Sequence, residues 1–197
     1  ESAIDWGRIM RLAEEQAVVG LVADGIDRFK IQIPGFKVPQ ERALQVIGAT
    51  LQIEERNKAM NAFVADLIEK LRKADIYAVL VKGQGIAQCY ERPLWRAAGD
   101  VDLLLSEDNY LKASEFLSSC ASVVNEENPY NKHLAMTVDS WSVELHGTLR
   151  GLLKKSIDRV IDQTQNDVFY GGNVRSAVFK NSKGSIVQVD RKSTRLN

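Results

Sequence analysis

The spacing of apolar residues changes once along the chain, and the change divides the chain into two parts. Over residues 9–22 and again over residues 40–74, apolar residues recur every three or four positions, the period of an amphipathic helix. The segment Ile33–Pro39 contains two prolines and a glycine and is typical of a connector. Beyond Asp75 the apolar runs become short and β-branched. We therefore predict a helical region over residues 1–74, with one apolar stripe along its second helix.

Short strands and helices are predicted to alternate after Asp75. In chain order, the predicted elements are a buried strand at 76–83, a short helix at 83–91, a loop at 92–99, a strand at 100–105, a helix at 106–120, a short strand at 121–126, a hairpin of strands at 132–139 and 141–147, and a helix at 156–165. This order indicates an α+β (mixed α/β) domain over residues 75–189, with a mixed sheet and flanking helices.

Charge and composition exclude few functions but favour some over others. The 197 residues include 26 Lys and Arg against 26 Asp and Glu, so the formal net charge is zero. This balance makes nucleic acid an unlikely partner without excluding it. No apolar run reaches the roughly 18 residues of a membrane helix, so no membrane partner is expected. Cys89 and Cys120 are far apart and lack metal-site spacing, which favours a reducing, cytoplasmic location.

The two ends of the chain are set apart from the fold. The chain begins at Glu1 rather than Met, so we expect a piece of a longer protein. The last eight residues, 190–197, resemble the translation of a sequencing adapter, and the alternative is an ordinary polar tail. We exclude them, and we expect the domain to be truncated after Val189.

The segment Val81–Leu105 carries most of the candidate chemistry. Asp100 and Asp102 are two positions apart at the start of an apolar strand, which places both side chains on one face. Two carboxylates on one face repel each other, and a divalent cation with a preference for oxygen ligands removes that conflict. The alternative is structural, with Asp100 capping the turn at Gly99. We therefore predict a Mg²⁺ (or Mn²⁺) site at the start of this strand.

Neighbouring residues strengthen the prediction. Lys82 precedes the sequence Gly83-Gln84-Gly85, which follows a strand and opens a helix, a combination suited to binding phosphate. Arg96 is a second cation in the same segment. Glu144, on a later strand, offers a third carboxylate.

The combination of KG, then RAAGDVDLLL, then VELHG resembles the uncharacterised nucleotidyltransferase-like family within the DNA polymerase β-like nucleotidyltransferase superfamily. The resemblance covers residues 76–150. Two features depart from the superfamily pattern: Gln84 follows Gly83, where Ser or Gly is usual, and the spacing from Gly83 to Asp100 is longer than is common.

The resemblance implies a fold, a reaction and a set of roles. It implies a nucleotidyltransferase-like mixed sheet and the Mg²⁺-dependent transfer of a nucleoside monophosphate from a nucleoside triphosphate, with ATP expected, to a hydroxyl or phosphate acceptor. Asp100, Asp102 and Glu144 would be the catalytic and metal-binding acids. Lys82, Gly83, Gln84, Gly85 and Arg96 would bind the nucleotide. The nucleotide, the acceptor and the oligomeric state are left open.

Other interpretations stand beside these. The chain could be a non-catalytic nucleotide-binding or regulatory module, or a toxin–antitoxin type of nucleotidyltransferase acting on RNA or protein. Glu144 could be an exposed strand carboxylate, Lys82 a solvated lysine, and Arg96 a partner that only orients the aspartates. His146 shares the face of Glu144 and could be a base, a ligand or a structural residue, whereas His133 is assigned to the surface.

Overall fold

The secondary structure follows the predicted order. A computed structural model describes residues 4–151, 154–171 and 176–189, so the excluded tail lies outside the described residues. The helices are α1 (Trp6–Glu15), α2 (Val19–Gln32), α3 (Gln40–Lys73), α4 (Gly83–Ala87), α5 (Glu107–Ser118) and α6 (Lys155–Tyr170). The strands are β1 (Ala78–Val81), β2 (Val101–Leu105), β3 (Val123–Val124), β4 (His133–Val138), β5 (Trp141–His146), β6 (Val178–Lys180) and β7 (Ile186–Gln188).

Two compact units make up the chain. One is Glu1–Ala59 with Ala87–Ala98, and the other is Met60–Ile86 with Gly99–Asn197. This division falls inside α3, whereas the domain boundary predicted from the sequence follows residue 74, at the end of that helix. No helix among the described residues has both the length and the apolarity needed to cross a bilayer.

The first unit is built on helices. The pattern over residues 9–22 breaks at Ala17, whose φ of 53° ends α1 and lets α2 begin at Val19. The buried cluster of this unit comprises Met10, Ala13, Val19, Ala23, Ile26 and Val46. The segment 87–98, with a 3₁₀ turn at Pro93–Trp95, is tied to α3 because the buried side chain of Asn57 donates to the carbonyls of Leu94 and Arg96, at 2.8 and 2.7 Å.

The predicted apolar stripe of α3 is wrong in its first half. Leu44, Ile47 and Leu51 are exposed to solvent. One line of buried or partly buried residues along α3 follows a spacing of alternately four and three positions, namely Val46, Thr50, Ile53, Asn57, Met60, Val64, Leu67 and Leu71. Two of them are polar, and hydrogen bonds satisfy both: Thr50 Oγ1 donates to the Val46 carbonyl at 2.7 Å, and Asn57 holds the loop. The predicted stripe missed this face because it counted only apolar residues.

A five-stranded mixed sheet forms the centre of the second unit. Its strand order is β1-β2-β5-β4-β3, and β2 pairs with β5 in parallel while the other neighbours are antiparallel. Helix α5 lies against β2, β4 and β5. The α+β class with a mixed sheet and flanking helices is therefore confirmed.

The sheet has one wholly apolar face and one divided face. The buried residues of the apolar face include Ala78, Leu80, Val101, Leu103, Leu105, Leu134, Met136, Val138, Val143 and Leu145. On the other face, Val79 and Leu104 pack with Phe169 of α6. The same face carries Asp102, His133, Glu144 and His146, so a polar patch lies beside the apolar cluster.

The predicted hairpin is confirmed, and it fixes the register of the site. Asp139 and Ser140 both have positive φ, 49° and 70°, as a two-residue turn of the left-handed type requires. The turn places His133 opposite His146 and Ala135 opposite Glu144. The separate β6–β7 ribbon was not predicted from the sequence.

The contact between α4 and β1 can be tested at Gly85. A Cβ at this position would lie 2.8 Å from the Leu80 carbonyl oxygen, so Gly85→Ala should destabilise the protein by about 1–3 kcal/mol. Gly48→Ala is the matched control. It lies inside α3 with no atom within 4 Å of the added Cβ, and it should raise stability by up to about 1 kcal/mol. Urea unfolding followed by circular dichroism measures both changes, and a stabilised Gly85→Ala would contradict this close contact.

Candidate functional site

Parallel pairing of β2 and β5 brings three carboxylates together. Asp102 and Glu144 are Cα partners in the register of these strands, and Asp100 lies one residue before β2. One carboxylate oxygen from each of the three acids lies within 4.8 Å of the others. The acids selected from the sequence therefore converge, at a spacing that one metal ion could bridge.

Asp102 is the most buried of the three acids, with 2% of its side chain exposed. Burial would raise its pKa. However, its Oδ1 accepts a hydrogen bond from Lys82 Nζ at 2.6 Å and lies 2.8 Å from His146 Nε2. These partners outweigh the burial and hold the pKa of Asp102 below its ordinary value. The carboxylate is therefore kept ionised.

Asp100 is in the opposite electrostatic situation. Burial, and then the negative charges of Asp102 and Glu144, raise the pKa of its carboxyl group. The folded protein therefore disfavours a third negative charge here unless a cation is present. A carboxyl group with a raised pKa beside an ionised carboxylate is a common feature of metal and catalytic sites.

Lys82 provides the positive charge nearest to the acids. It directly follows β1 and has a φ of 50°, a backbone conformation that is uncommon for a lysine and often marks functional sites. Its Nζ lies 4.0 Å from Glu144 Oε2, in addition to its bond with Asp102. Burial alone would lower the pKa of Lys82, but these carboxylates raise it. More than half of the side chain remains exposed, so the ammonium group can leave the acids without disturbing the core.

Both histidines of the chain lie at this site. His146 Nε2 is 3.5 Å from Glu144 Oε2, and His133 Nε2 is 3.1 Å from the same oxygen. The assignment of His133 to the surface is therefore wrong, because its side chain is only 30% exposed and contacts Glu144. The sequence contained a signal for this position of His133, because a two-residue turn at Asp139 and Ser140 pairs His133 with His146 across the hairpin.

The remaining predicted nucleotide-binding residues are Gly83, Gln84 and Gly85 in α4, and Arg96 in the segment 87–98. The side chain of Gln84 is buried, and its Nε2 donates to Met60 Sδ at 3.2 Å. Gly83 and Gly85 lie in α4, and at Gly85 the close neighbour is the Leu80 carbonyl. Arg96 belongs to the other compact unit, where its guanidinium carbon lies 6.0 Å from the centre of the Tyr90 ring.

A polar cleft opens where β5 ends. Its volume is about 520 Å³, within the range of small-molecule sites. Lys132 and Gly147 line it, and they are the chain neighbours of the two histidines. Arg150 also lines the cleft and forms a two-pronged ion pair with Asp162 of α6.

Comparison with known proteins identifies one family. The family model described as "uncharacterised nucleotidyltransferase" matches residues 2–176. Neither the curated proteins nor the solved structures include a significant match to this chain.

Opposite pKa shifts at neighbouring acids give a prediction of stability against pH. Because the folded-state pKa of Asp100 is raised, its ionised form destabilises the fold at neutral pH, and this cost disappears as the pH falls towards the ordinary value of 3.8. Asp100→Asn should therefore stabilise the metal-free protein at neutral pH, with a gain that shrinks in acid. Urea unfolding in EDTA across the pH range measures the difference.

Asp102→Asn is the matched control with the opposite sign. Its folded-state pKa is lowered, so its ionised form stabilises the fold above pH 3.8 and loses this effect as the pH falls through the folded-state value. The substitution removes charge-assisted hydrogen bonds and should cost about 1.5–3 kcal/mol at neutral pH. If both variants shift stability in the same direction, the assignment of opposite environments is wrong.

Proposed function

The chain belongs to the uncharacterised nucleotidyltransferase family, and we propose that it transfers a nucleoside monophosphate from a nucleoside triphosphate, with ATP the expected donor, to a hydroxyl or phosphate acceptor. The observation that carries the proposal is the convergence of Asp100, Asp102 and Glu144 on adjacent strands. A family of transferases and three carboxylates within reach of one cation support the same chemistry.

The donor set fits a divalent metal ion. Three carboxylate oxygens within 4.8 Å provide the hard oxygen ligands that Mg²⁺ and Mn²⁺ take, and the raised pKa of Asp100 marks a local excess of negative charge. When bound, the ion would supply positive charge to the phosphoryl oxygens and to the attacking hydroxyl.

The residues of the chain orient the reactants and handle the proton. The acceptor oxygen attacks the α-phosphorus, the bond from that phosphorus to the bridging oxygen breaks, and pyrophosphate leaves with the electron pair. Glu144 is the proposed acceptor of the hydroxyl proton, because it is partly exposed whereas Asp102 is buried and already committed to Lys82 and His146. Lys82, with its exposed stem, is proposed to move from Asp102 to the phosphates.

The cleft at the end of β5 is the proposed location of a substrate. Its volume of about 520 Å³ suits a nucleotide or a small acceptor, and its lining includes two ion pairs, Lys132 with Glu107 and Arg150 with Asp162. Two of its lining residues, Lys132 and Gly147, are chain neighbours of His133 and His146. This position supports the proposal that a substrate reaches the acids from the cleft.

A second candidate function is nucleotide binding without catalysis. One contact favours it: the ammonium group of Lys82 already neutralises Asp102, so the acids have a positive partner within the chain. Metal dependence separates the two candidates, because a site neutralised permanently by lysine has no need of a divalent ion.

The acids can be tested by nucleotide binding, which needs no knowledge of the acceptor. Titration of ATP, GTP, CTP and UTP, with and without Mg²⁺, should show metal-dependent affinity for at least one of them. Asp100→Asn, Asp102→Asn and Glu144→Gln should each reduce that affinity by about 10-fold or more, equivalent to 1.4 kcal/mol. Asp139→Asn is the control, because this exposed acid lies in the hairpin turn of the same sheet and asparagine suits its positive φ. Nucleotide binding that ignores both Mg²⁺ and all three site variants would refute the proposal.

Lys82 gives an independent prediction with two readouts. Lys82→Gln should raise the affinity for Mg²⁺ alone, by up to about 10-fold, because the ion no longer displaces an ammonium group from Asp102. The same variant should weaken nucleotide binding, since a cation for the phosphates is lost. Lys70→Gln is the control on an exposed lysine. If Lys82→Gln changes neither the metal affinity nor the nucleotide affinity, Lys82 is a solvated lysine and has no role in binding.

A further inference from the structure

We propose that His133, Glu144 and His146 form a second metal site, one that takes a first-row ion of the Zn²⁺ type rather than Mg²⁺. The chain has two histidines, and the Nε2 atoms of both lie within 3.5 Å of the same oxygen, Glu144 Oε2. The inference shares Glu144 with the proposed function but does not rest on it.

The spacing of the three ligand atoms fits tetrahedral coordination. Zinc binds histidine nitrogen and carboxylate oxygen at about 2.0–2.2 Å, so tetrahedral ligands lie about 3.3–3.5 Å apart. Glu144 Oε2 lies 3.1 Å from His133 Nε2 and 3.5 Å from His146 Nε2, and all three ligand atoms fall within 4.8 Å of one another. To accept an ion, His146 Nε2 would exchange its contacts with Asp102 Oδ1, at 2.8 Å, and with Lys82 Nζ, at 3.5 Å, for the metal.

Backbone pairing, rather than flexible loops, sets this arrangement. His133 and His146 are Cα partners on β4 and β5, and their ring centres are 4.9 Å apart. Glu144 precedes His146 by two residues and so shares its face. Side chains mounted on paired strands are held in position before an ion arrives, which lowers the cost of binding.

The type of ligand selects the ion. Imidazole nitrogen suits Zn²⁺ and related transition metals, whereas Mg²⁺ prefers oxygen. The three side chains are 12–30% exposed, which leaves a route for an ion and an open coordination position. Glu144 also belongs to the all-oxygen set with Asp100 and Asp102, so its carboxylate would lie between the two metal positions.

The contact of His146 with Asp102 describes the metal-free state. In that state His146 Nε2 lies 2.8 Å from Asp102 Oδ1. Binding an ion at His146 Nε2 would replace this contact, and Lys82 would remain as the partner of Asp102. Asp102 would thus keep Lys82 as a positive partner, and Glu144 would have the zinc ion.

The test measures Zn²⁺ binding directly. The background is the full chain with Cys89→Ser and Cys120→Ser, because both cysteines are exposed and thiolates bind zinc strongly. After EDTA treatment and its removal, isothermal titration should find one Zn²⁺ per chain. His133→Ala and His146→Ala should each weaken binding by more than the 10–100-fold that outer-shell changes cause. Excess Mg²⁺ should not displace the zinc.

Asp100→Asn separates this inference from the proposed function. It should weaken Zn²⁺ binding far less than either histidine change, because Asp100 is not one of the three zinc ligands, while it reduces Mg²⁺-dependent nucleotide binding by about 10-fold or more. Co²⁺ provides a second readout: a visible absorption band of low-coordinate cobalt should appear in the background protein and vanish in both histidine variants, with circular dichroism confirming that these variants are folded. The proposal is overturned if no Zn²⁺ binds, if binding survives both histidine changes, or if Asp100→Asn abolishes it equally.

Discussion

The parallel pairing of β2 with β5 is the constraint on which the site depends. It places Asp102 beside Glu144, and the β4–β5 hairpin then adds His133 and His146 to the same face. A slip of one residue in β2 would send Asp102 into the apolar face and bring Val101 or Leu103 to the acids. The buried leucines and valines on the opposite face exclude that slip, so the core sets the geometry of the chemistry.

Electrostatic balance is the second organising feature. Asp100, Asp102 and Glu144 repel one another, and the chain offsets part of this with Lys82 and His146 on Asp102 and with His133 on Glu144. The raised pKa of Asp100 is the part that is not offset. The uncompensated negative charge of Asp100 lowers the stability of the fold. The same charge favours the binding of a cation, so the loss of stability and the proposed metal binding have one cause.

Much of the fold and the three acids could be predicted from the sequence. Strand β2 is a run of apolar residues introduced by two aspartates, and the hairpin is marked by alternation around Asp139 and Ser140, so local pattern was sufficient for both. The local pattern gave a wrong prediction where polar side chains are buried. On α3, Thr50 and Asn57 lie on the buried face because hydrogen bonds satisfy them, and a count of apolar residues therefore selected the exposed Leu44, Ile47 and Leu51 instead.

The sequence by itself determined which residue types could carry the chemistry: acids two apart at a strand start, a third acid on a later strand, and a lysine before a glycine. Only the tertiary structure decided which of them meet. It turned Gln84 into the core against Met60 and brought His133 to Glu144. The physical reason is that side-chain direction follows from strand pairing and from packing between elements distant along the chain, and neither is encoded in the spacing of residues within one element.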